Sequence, residues 1–390
     1  MKLVVVGFGQ CGGRIADEFS KLNKKARSQR GIEIVTGAFA VNTDAADLSG
    51  LTSIKRGYQH RILIGSRKTG GHGVGKINEL GAEIAREDAD KVIDAIRTTK
   101  RFFETDAFLF IASAAGGTGS GSVAVMTQHI KERYADKPIY NLVVLPFEHE
   151  ESTEDRTIYN SATCLKSCYS VADAVFLVDN QRFVRKDSSI RGNLAKINQM
   201  IAEPFYNMLC AGEEKKSKYI ASKVLDAGDI IQTLVGWTVI GYGKTEIPIF
   251  RFPRDRGDFR KKGSETLKGI QAMDEAISEL SLKCNPIDSK RALYLISAPA
   301  KEMNMDLIKA LGDYMRDIAP EALIRNGDYP RERGLLDVTV IMSELSDVEK
   351  VRNYYLKSTS LIPELKKRQE ETETKLREIE KTSRDIPSLL

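Results

Sequence analysis

The chain has 390 residues, of which 42% are hydrophobic and 29% charged, a composition typical of a globular protein with room for two or three domains. Its net charge of +5 is spread over segments of mixed sign without a Lys/Arg block, which argues against a nucleic-acid-binding protein. The five cysteines are few for this length and odd in number, which argues against a disulfide framework and indicates a reducing, cytoplasmic location.

The first predicted element is a buried strand at residues 2–6, an apolar run too short for a signal peptide or a membrane span. A glycine loop follows, with Gly7, Gly9, Gly12 and Gly13, and leads directly into a helical pattern. The spacing fits G-x-G-x-x-G, so a Rossmann dinucleotide site is one interpretation. That site needs an acidic residue at the end of the next strand, whereas Glu33 precedes the apolar stretch 35–41.

Small polar side chains end the second predicted strand, at Asn42, Thr43 and Asp44. Ligands of open α/β sheets bind at the carboxyl ends of the strands, so these residues are candidates for ligand contacts. Capping of the next helix is the alternative explanation.

A second glycine-rich loop at residues 70–77 nearly matches a P-loop. The spacing G-x-x-x-x-G-K is present at Gly70, Gly75 and Lys76, but Ile77 stands where Ser or Thr would bind magnesium. We therefore expect another phosphate-facing loop, with a mobile surface loop as the alternative.

A third glycine loop covers residues 116–122, between the apolar run 108–112 and a predicted helix start. Glycines let backbone N–H groups face a ligand, and a helix N-terminus favours negative charge, so the pattern indicates phosphate binding. A flexible Gly/Ser turn is the alternative.

Two further predicted strands, at 139–145 and 174–178, complete five β-then-α repeats. This pattern predicts a doubly wound α/β sheet, with at least three glycine loops meeting at one edge around a mononucleotide. The acidic segment 148–155 and the pair Asp179-Asn180 follow these strands at the same edge.

The second half of the chain begins with a predicted helix at 193–210, for which we expect a kink at Pro204. Asn198 lies in its apolar stripe and is either a core amide bonded to backbone or an amide that reads a purine edge.

Asp226 and Asp229 precede another helix, where capping alone would explain them. Predicted strands at 237–240, 291–297 and 336–343, with helices near 264–280 and 303–318, indicate a smaller α+β domain. Residues 363–385 form a charged run that we interpret as a solvated helix.

In this order, the motifs resemble those of the tubulin/FtsZ superfamily, whose signature is the element Gly116-Gly117-Thr118-Gly119-Ser120-Gly121. The other matching positions are Gly9, Gln10, Cys11, Gly12, Gly13, Asn42, Thr43, Asp44, Pro146, Phe147, Asn180, Asn198, Asp226 and Asp229. Residues 7–10, 71–75 and 326–330 look like the archaeal CetZ branch. The similarity covers about residues 1–355.

The resemblance implies a tubulin/FtsZ-like α/β fold. A doubly wound parallel-sheet GTP-binding domain would occupy residues 1–191, a long central helix 192–213, and a smaller α+β C-terminal domain for activation and assembly 214–358. Residues 359–390 would form a charged tail.

The resemblance also implies a cytoskeletal GTPase that uses GTP/GDP and Mg²⁺ and polymerises head to tail with itself. The loops at 9–13 and 116–120 would hold the phosphates, and the expected nucleotide contacts are Gly9, Gln10, Cys11, Gly12, Gly13, Asn42, Asp44, Gly71, Gly116, Gly117, Thr118, Gly119, Ser120, Glu154, Arg156, Asn180 and Asn198. Among these, Glu154 and Arg156 would lie near the ribose, and Asn180 and Asn198 would read sugar and guanine. No metal site built from protein ligands alone is expected.

Hydrolysis, by the same resemblance, would be completed between subunits. Asp226 and Asp229 would reach into the neighbour's nucleotide site and orient the attacking water, which fits phosphoryl transfer, where positioning carries most of the catalysis. A site formed at a head-to-tail interface repeats without closing and so gives a filament.

The expected biological role is control of cell shape. An FtsZ-like division ring is the closest alternative, and a monomeric Rossmann NAD(P)-dependent enzyme or a scaffold that assembles without turning over GTP are alternatives of other classes. We expect no nucleic-acid partner and no direct membrane insertion, while the tail leaves open a membrane adaptor or another tail-binding partner.

Three positions depart from the family pattern. Ala115 stands where the family begins its three glycines, which removes the option of a positive φ. The segment 148–155 is longer than its bacterial counterpart, and Pro204 is unexpected in the central helix.

Overall fold

The computed structural model describes residues 1–184, 190–214, 221, 223–247, 258–331 and 334–383, without the side chains of 190–193, 258–265 and part of 364–380. The last seven residues of the predicted charged tail, 384–390, therefore lie outside the described residues.

Six parallel strands form the first half of the sheet, in the order β3-β2-β1-β4-β5-β6. They are β1 (Leu3–Phe8), β2 (Val35–Asn42), β3 (Arg61–Leu63), β4 (Ala107–Ser113), β5 (Ile139–Leu145) and β6 (Ala174–Asp179). Phe8 lies in register with Val41 on one side and Ala112 on the other. The loops that follow β1, β2 and β4 therefore leave the sheet at one level, on one edge.

Helices cover both faces of these strands. They are α1 (Gly9–Arg30), α2 (Ala45–Ser49), α3 (Ser66–Thr69), α4 (Asn78–Glu87), α5 (Ala89–Arg97), α6 (Thr118–Arg133), α7 (Glu148–Thr153) and α8 (Asp155–Val171). Alternate residues of β1 belong to different buried clusters: Val4 and Val6 pack with Ile130 of α6, whereas Val5 packs with Ile15 and Phe19 of α1. Because a strand buried on both sides must be apolar at every position, the continuous apolar runs in the sequence predict it well.

The second half extends the same sheet, so that the full order of ten strands ends β6-β7-β10-β8-β9. Its elements are α9 (Ile190–Cys210), α10 (Ala227–Thr233), β7 (Gly236–Glu246), α11 (Asp258–Ser278), β8 (Ser289–Ala298), α12 (Met305–Ile318), β9 (Leu323–Pro330), β10 (Leu335–Leu345) and α13 (Glu349–Ser383). β7 pairs in parallel with β6, from Gly236 opposite Ala174 to Thr238 opposite Phe176. The doubly wound half and the smaller α+β half thus share one sheet.

Helix α9 includes Pro204 within its length, and the kink expected there stays a prediction. One strand differs from the sequence-based expectation. Strand β9 was not predicted, because Asn326, Gly327 and Pro330 are typical of turns, yet it pairs in parallel with β8 along its whole length. Gly327 allows the chain before α10 to approach, since a Cβ there would lie 2.7 Å from the Cβ of Leu225.

The charged segment after residue 359 is helical to Ser383, as the continuation of α13. None of the helices in the described part of the chain combines the length and the apolar character that crossing a bilayer requires.

Candidate functional site

A cavity of about 790 Å³ lies at the carboxyl edge of the parallel strands, where the predicted ligand loops meet. Most of the residues expected to contact a nucleotide line it: Gly9, Gln10, Cys11, Asn42, Asp44, Gly116, Gly117, Thr118, Gly119, Asn180 and Asn198. Residues far apart in sequence therefore share one cavity, as expected for a single ligand of nucleotide size.

Two helix N-termini open on this cavity, those of α1 at Gly9 and α6 at Thr118. Gly9 has a φ of +70°, and a Cβ there would lie 3.0 Å from the backbone nitrogen of Gly119, so the two loops touch. The first turns of α1 and α6, both fully described, carry no acidic side chain. Their free N–H groups and helix dipoles therefore favour an anionic group between them.

Three other predicted glycine-loop contacts lie off the wall of the cavity: Gly12, Gly13 and Ser120. A Cβ on Gly12 would lie 2.1 Å from the carbonyl oxygen of Ile111, so this glycine lets α1 pack on β4. Ser120 donates its hydroxyl to the carbonyl oxygen of Gly116 and braces the loop from behind. Gly12 therefore serves helix packing, and Ser120 supports the loop.

The polar end of β2 forms a connected group. Asp44 caps α2 by accepting a hydrogen bond from the N–H of Asp47 at 3.0 Å. The two Asp47 oxygens accept from Gln10 Nε2 at 2.6 Å and from Asn42 Nδ2 at 3.1 Å. Helix capping and cavity lining therefore coexist here. The sequence pattern does not single out Asp47 as a cavity residue, because it lies inside the helix that Asp44 caps.

Part of the near P-loop also reaches the cavity, at Gly73 and Lys76. Lys76 has a φ of 62°, unusual for a side chain with a Cβ, and its Nζ lies 2.5 Å from Glu154 Oε2. Gly71, predicted as a contact, does not line the cavity; with a φ of +84°, it accepts the N–H of Ala45 at 3.0 Å.

A buried amide joins the loop at residues 70–77 to the loop at residues 115–117. Asn160 of α8 is fully buried and its Nδ2 lies 2.9 Å from the carbonyl oxygen of Lys76, 3.0 Å from that of Ala115 and 3.2 Å from that of Gly116. The positive-φ residues other than glycine in the described chain are Lys76 and Glu344. Ala115 therefore fits its place in the loop without backbone strain.

Glu154 and Arg156, which the resemblance places near a ribose, do not line the cavity. Glu154 pairs with Lys76, and Arg156 pairs with Glu79 of α4. Helix α7 instead brings its first residues to the wall, including Glu148, His149 and Glu150, together with Phe147 before it. The sequence motif does not show that residues 147–150, and not Glu154 or Arg156, line the cavity.

The two carboxamides predicted to contact a nucleotide, Asn180 after β6 and Asn198 on α9, line this cavity, and the carboxamide of Gln181 lines it as well. Leu194 and Ile197 of α9 add aliphatic side chains to its lining. Amides offer both a donor and an acceptor, and the aliphatic side chains offer a flat apolar surface, a combination suited to a purine nucleoside.

The charge on the wall is mixed. Arg14 and Lys76 are cationic, whereas Asp44, Asp47, Glu148 and Glu150 are anionic. Burial, with a smaller contribution from Glu150, raises the pKa of the Cys11 thiol to about 12, so this thiol is neutral at physiological pH. In the described chain, no group of three or more His, Cys, Asp or Glu side chains could hold a metal ion by itself.

Asp226 and Asp229 lie away from this cavity, at the start of α10. Asp226 caps the helix by accepting the N–H of Asp229 at 2.8 Å, so the capping interpretation is confirmed. Asp229 Oδ1 lies 3.3 Å from Arg325 Nε of β9. Within one chain, this pair of carboxylates is therefore separate from the cavity described above.

Each half of the chain matches a known protein family. The Tubulin/FtsZ family GTPase domain matches residues 2–186, and the tubulin-like CetZ C-terminal domain matches residues 187–359. The tubulin-like protein CetZ1 of Haloferax volcanii is 33% identical over 350 residues, covering 85% of this chain and 84% of the relative.

Solved structures agree with this assignment. The GTPγS-bound protofilament of CetZ2 from Haloferax volcanii superposes with a TM-score of 0.80 at 28% identity, covering 94% of this chain and all of the other. The GDP-bound monomer of CetZ1 from the same organism gives a TM-score of 0.78 at 29% identity, covering 92% and 99%.

Proposed function

Since this chain belongs to the tubulin/FtsZ family, in its tubulin-like CetZ branch, we propose that it binds and hydrolyses GTP and assembles head to tail into protofilaments. The observation that carries the proposal is the convergence of two uncapped helix N-termini and two carboxamides on one cavity of about 790 Å³. The related CetZ structures with GDP and GTPγS support the choice of guanine nucleotide.

In this proposal, the phosphates lie against the N-termini of α1 and α6, with the Thr118 hydroxyl as an additional donor. That hydroxyl lies 2.6 Å from the Thr43 hydroxyl, which fixes its position. Asn180 and Asn198 contact sugar and guanine. Glu154 follows α7 and Arg156 lies on α8, neither of them lines the cavity, and we assign the nearby contacts to residues 147–150 instead.

Magnesium would enter with the nucleotide. Mg²⁺ usually takes phosphate oxygens and water together with one or two carboxylates, and the cavity offers Asp44 beside the phosphate loops. The ion would neutralise charge on the phosphates and on the surrounding carboxylates, while the chain itself holds and orients the nucleotide.

Hydrolysis in this proposal needs a second subunit. Asp226 and Asp229 do not line the cavity of their own chain. In a head-to-tail filament, these residues of one subunit would lie at the cavity of the next and orient the attacking water.

We retain the division into a GTP-binding domain at 1–191, a central helix at 192–213, an assembly domain at 214–358 and a tail at 359–390. We also retain a cytoplasmic, cytoskeletal role in cell shape.

The position of Glu33 argues against the alternative of a Rossmann NAD(P)-dependent enzyme. Glu33 pairs with Arg27 and Arg101 and lines a separate cavity together with Lys2 and Arg30. It therefore does not stand beside the glycine loop, where a dinucleotide ribose would lie.

The test is GTP turnover per subunit, measured with Mg²⁺ over a wide range of protein concentrations, with pelleting at each concentration. We expect turnover to rise above a threshold concentration together with pelleting, because each active site needs two subunits. Turnover per subunit that stays flat would place hydrolysis within one chain. Pelleting with GTP but without turnover would establish the scaffold alternative, and binding of NADH in place of GTP would establish the Rossmann enzyme.

A further inference from the structure

The first turns of α13 contact two carboxylates that lie next to residues of the cavity wall. Lys350 Nζ lies 2.8 Å from Asp179 Oδ1 and 3.7 Å from Glu151 Oε1. One helical turn later, the hydroxyl of Tyr354 donates a hydrogen bond to the same Glu151 oxygen at 2.5 Å. Two side chains of the C-terminal helix thus hold two carboxylates that belong to the nucleotide-binding half.

Both carboxylates lie next to residues that line the cavity. Glu151 follows Glu148, His149 and Glu150 on α7. Asp179 precedes Asn180 and accepts the N–H of Gln181 at 3.1 Å. The N–H of Glu148 also donates to Gln181 Oε1 at 3.3 Å, which joins the two wall segments directly.

These contacts are shielded from water. The exposed fractions of the side chains are 23% for Lys350, 14% for Glu151 and 12% for Asp179, and Tyr354 is 2% exposed. An ion pair at this depth is screened less than one on an open surface. Without Lys350, two carboxylates would face each other close to Glu150, and repulsion would push α7 away from the turn that carries Asn180.

We propose that Lys350 and Tyr354 are positioning residues for the nucleoside end of the cavity, holding α7 and the Asn180 turn in the arrangement that recognises guanine. The inference rests on the proposed function, since it names what orients the wall of that same site. It also connects the C-terminal helix, through Glu151 and Asp179, to the segments that line the cavity within one subunit.

The test compares Lys350→Ala, Lys350→Arg, Tyr354→Phe and Arg352→Ala in the full chain. Arg352 is the matched control, because it lies on the same helix and pairs with exposed Asp347 at 2.9 Å. For each variant, the dissociation constants of GTP, GDP and ATP are measured by calorimetry, together with the thermal unfolding temperature.

We expect Lys350→Ala to weaken GTP and GDP alike by about tenfold, the effect of losing one partly buried charge pair. Its preference for GTP over ATP should fall, because the displaced wall carries the base-reading amide. Tyr354→Phe, which removes only the hydroxyl, should show the same change to a smaller degree. Lys350→Arg should keep the preference for GTP over ATP, because it keeps the positive charge. Arg352→Ala should match the unaltered protein.

An unchanged preference for GTP over ATP in both Lys350→Ala and Tyr354→Phe would overturn the inference, even if their unfolding temperatures fell, since that pattern is purely structural. If Lys350→Ala does not fold, Tyr354→Phe decides alone. Failure of the unaltered chain to bind any guanine nucleotide would be a different result, which refutes the proposed function itself.

Discussion

Asp17 shows how one buried carboxylate fixes the loop at residues 52–54. It lies on α1, is 4% exposed, and its Oδ1 accepts the N–H groups of Ser53 at 2.6 Å and Ile54 at 2.7 Å. Its Oδ2 accepts the hydroxyl of Thr52 at 2.7 Å and the N–H of that residue at 3.2 Å. Burial by itself would raise the pKa of Asp17, but the four hydrogen bonds outweigh it and hold the pKa below its ordinary value of 3.8.

We predict that Asp17→Asn lowers the free energy of unfolding by about 1–3 kcal/mol at pH 7, because an amide presents a donor where two donors already point. A carboxyl with a lowered folded-state pKa stabilises the protein above its unfolded-state pKa, and that stabilisation disappears as the pH falls through the folded-state value. The difference between the two proteins should therefore shrink in strong acid. Urea unfolding from pH 7 down to pH 2 measures it.

The control for this prediction is Asp94→Asn, since the Asp94 side chain is 72% exposed and lies 3.6 Å from Arg97. Its stability should stay close to that of the unaltered protein. A constant difference between Asp17→Asn and the unaltered protein at every pH would show that the charge of Asp17 is not what stabilises the loop.

At the scale of elements, the central glycine motif serves two purposes. Gly116, Gly117 and Gly119 line the cavity, whereas Gly121 lies where α6 packs on α4. A Cβ on Gly121 would lie 2.1 Å from the carbonyl oxygen of Asn78, a backbone atom that cannot move aside cheaply. The last glycine of the motif is therefore a packing residue.

We predict that Gly121→Ala destabilises the protein by about 1–3 kcal/mol, the usual range for overpacking. Gly116→Ala is the control from the same motif, because its added Cβ would meet nothing within 4 Å. Denaturant unfolding of the nucleotide-free proteins measures both. Equal stability of the two variants would mean that α4 and α6 can separate at little cost.

The sequence predicts the elements whose signal is local. Continuous apolar runs predict β1, β2 and β4, and the glycines after them predict the loops at the sheet edge. What it cannot predict depends on contacts between distant segments. β9 exists because β8 supplies a parallel partner, and Asn160 is placed at the phosphate loop by the packing of α8. Glu154 lies beyond the end of α7, whose first residues line the cavity, and the motif alone does not show this arrangement.

At the scale of the whole molecule, the two halves are joined beyond the shared sheet. Arg30 at the end of α1 lies over the rings of Tyr206 on α9 and Tyr329 on β9, at 4.7 Å and 4.9 Å from their centroids. Buried Asp337 of β10 accepts Asn207 Nδ2 at 2.6 Å and pairs with Arg331. These contacts join α1, α9, β9 and β10, and the pair Asp229–Arg325 joins α10 to β9. Asp226 would therefore reach the cavity of its own chain only if contacts between the two halves were broken.

This arrangement leads to a prediction about mixed filaments. One variant, Asp226→Ala with Asp229→Ala, keeps the cavity and loses the carboxylates. The other, Asn180→Ala with Asn198→Ala, keeps the carboxylates and loses the two amides that we propose contact sugar and guanine. Each alone should have little GTP turnover. In an equal mixture, half of the nucleotide sites are intact and about half of those meet an intact carboxylate pair, so turnover should recover to about a quarter of the unaltered level.

Recovery would depend on contact between subunits and should therefore disappear on dilution, together with pelleting. GTP binding by the Asp226 and Asp229 double variant, measured by calorimetry, is the control, and it should be unchanged because neither residue lines the cavity. A mixture no more active than the sum of its parts, at concentrations where both variants pellet together, would mean that the carboxylates do not complete a neighbour's site. Retained turnover in the aspartate variant alone would refute their catalytic role altogether.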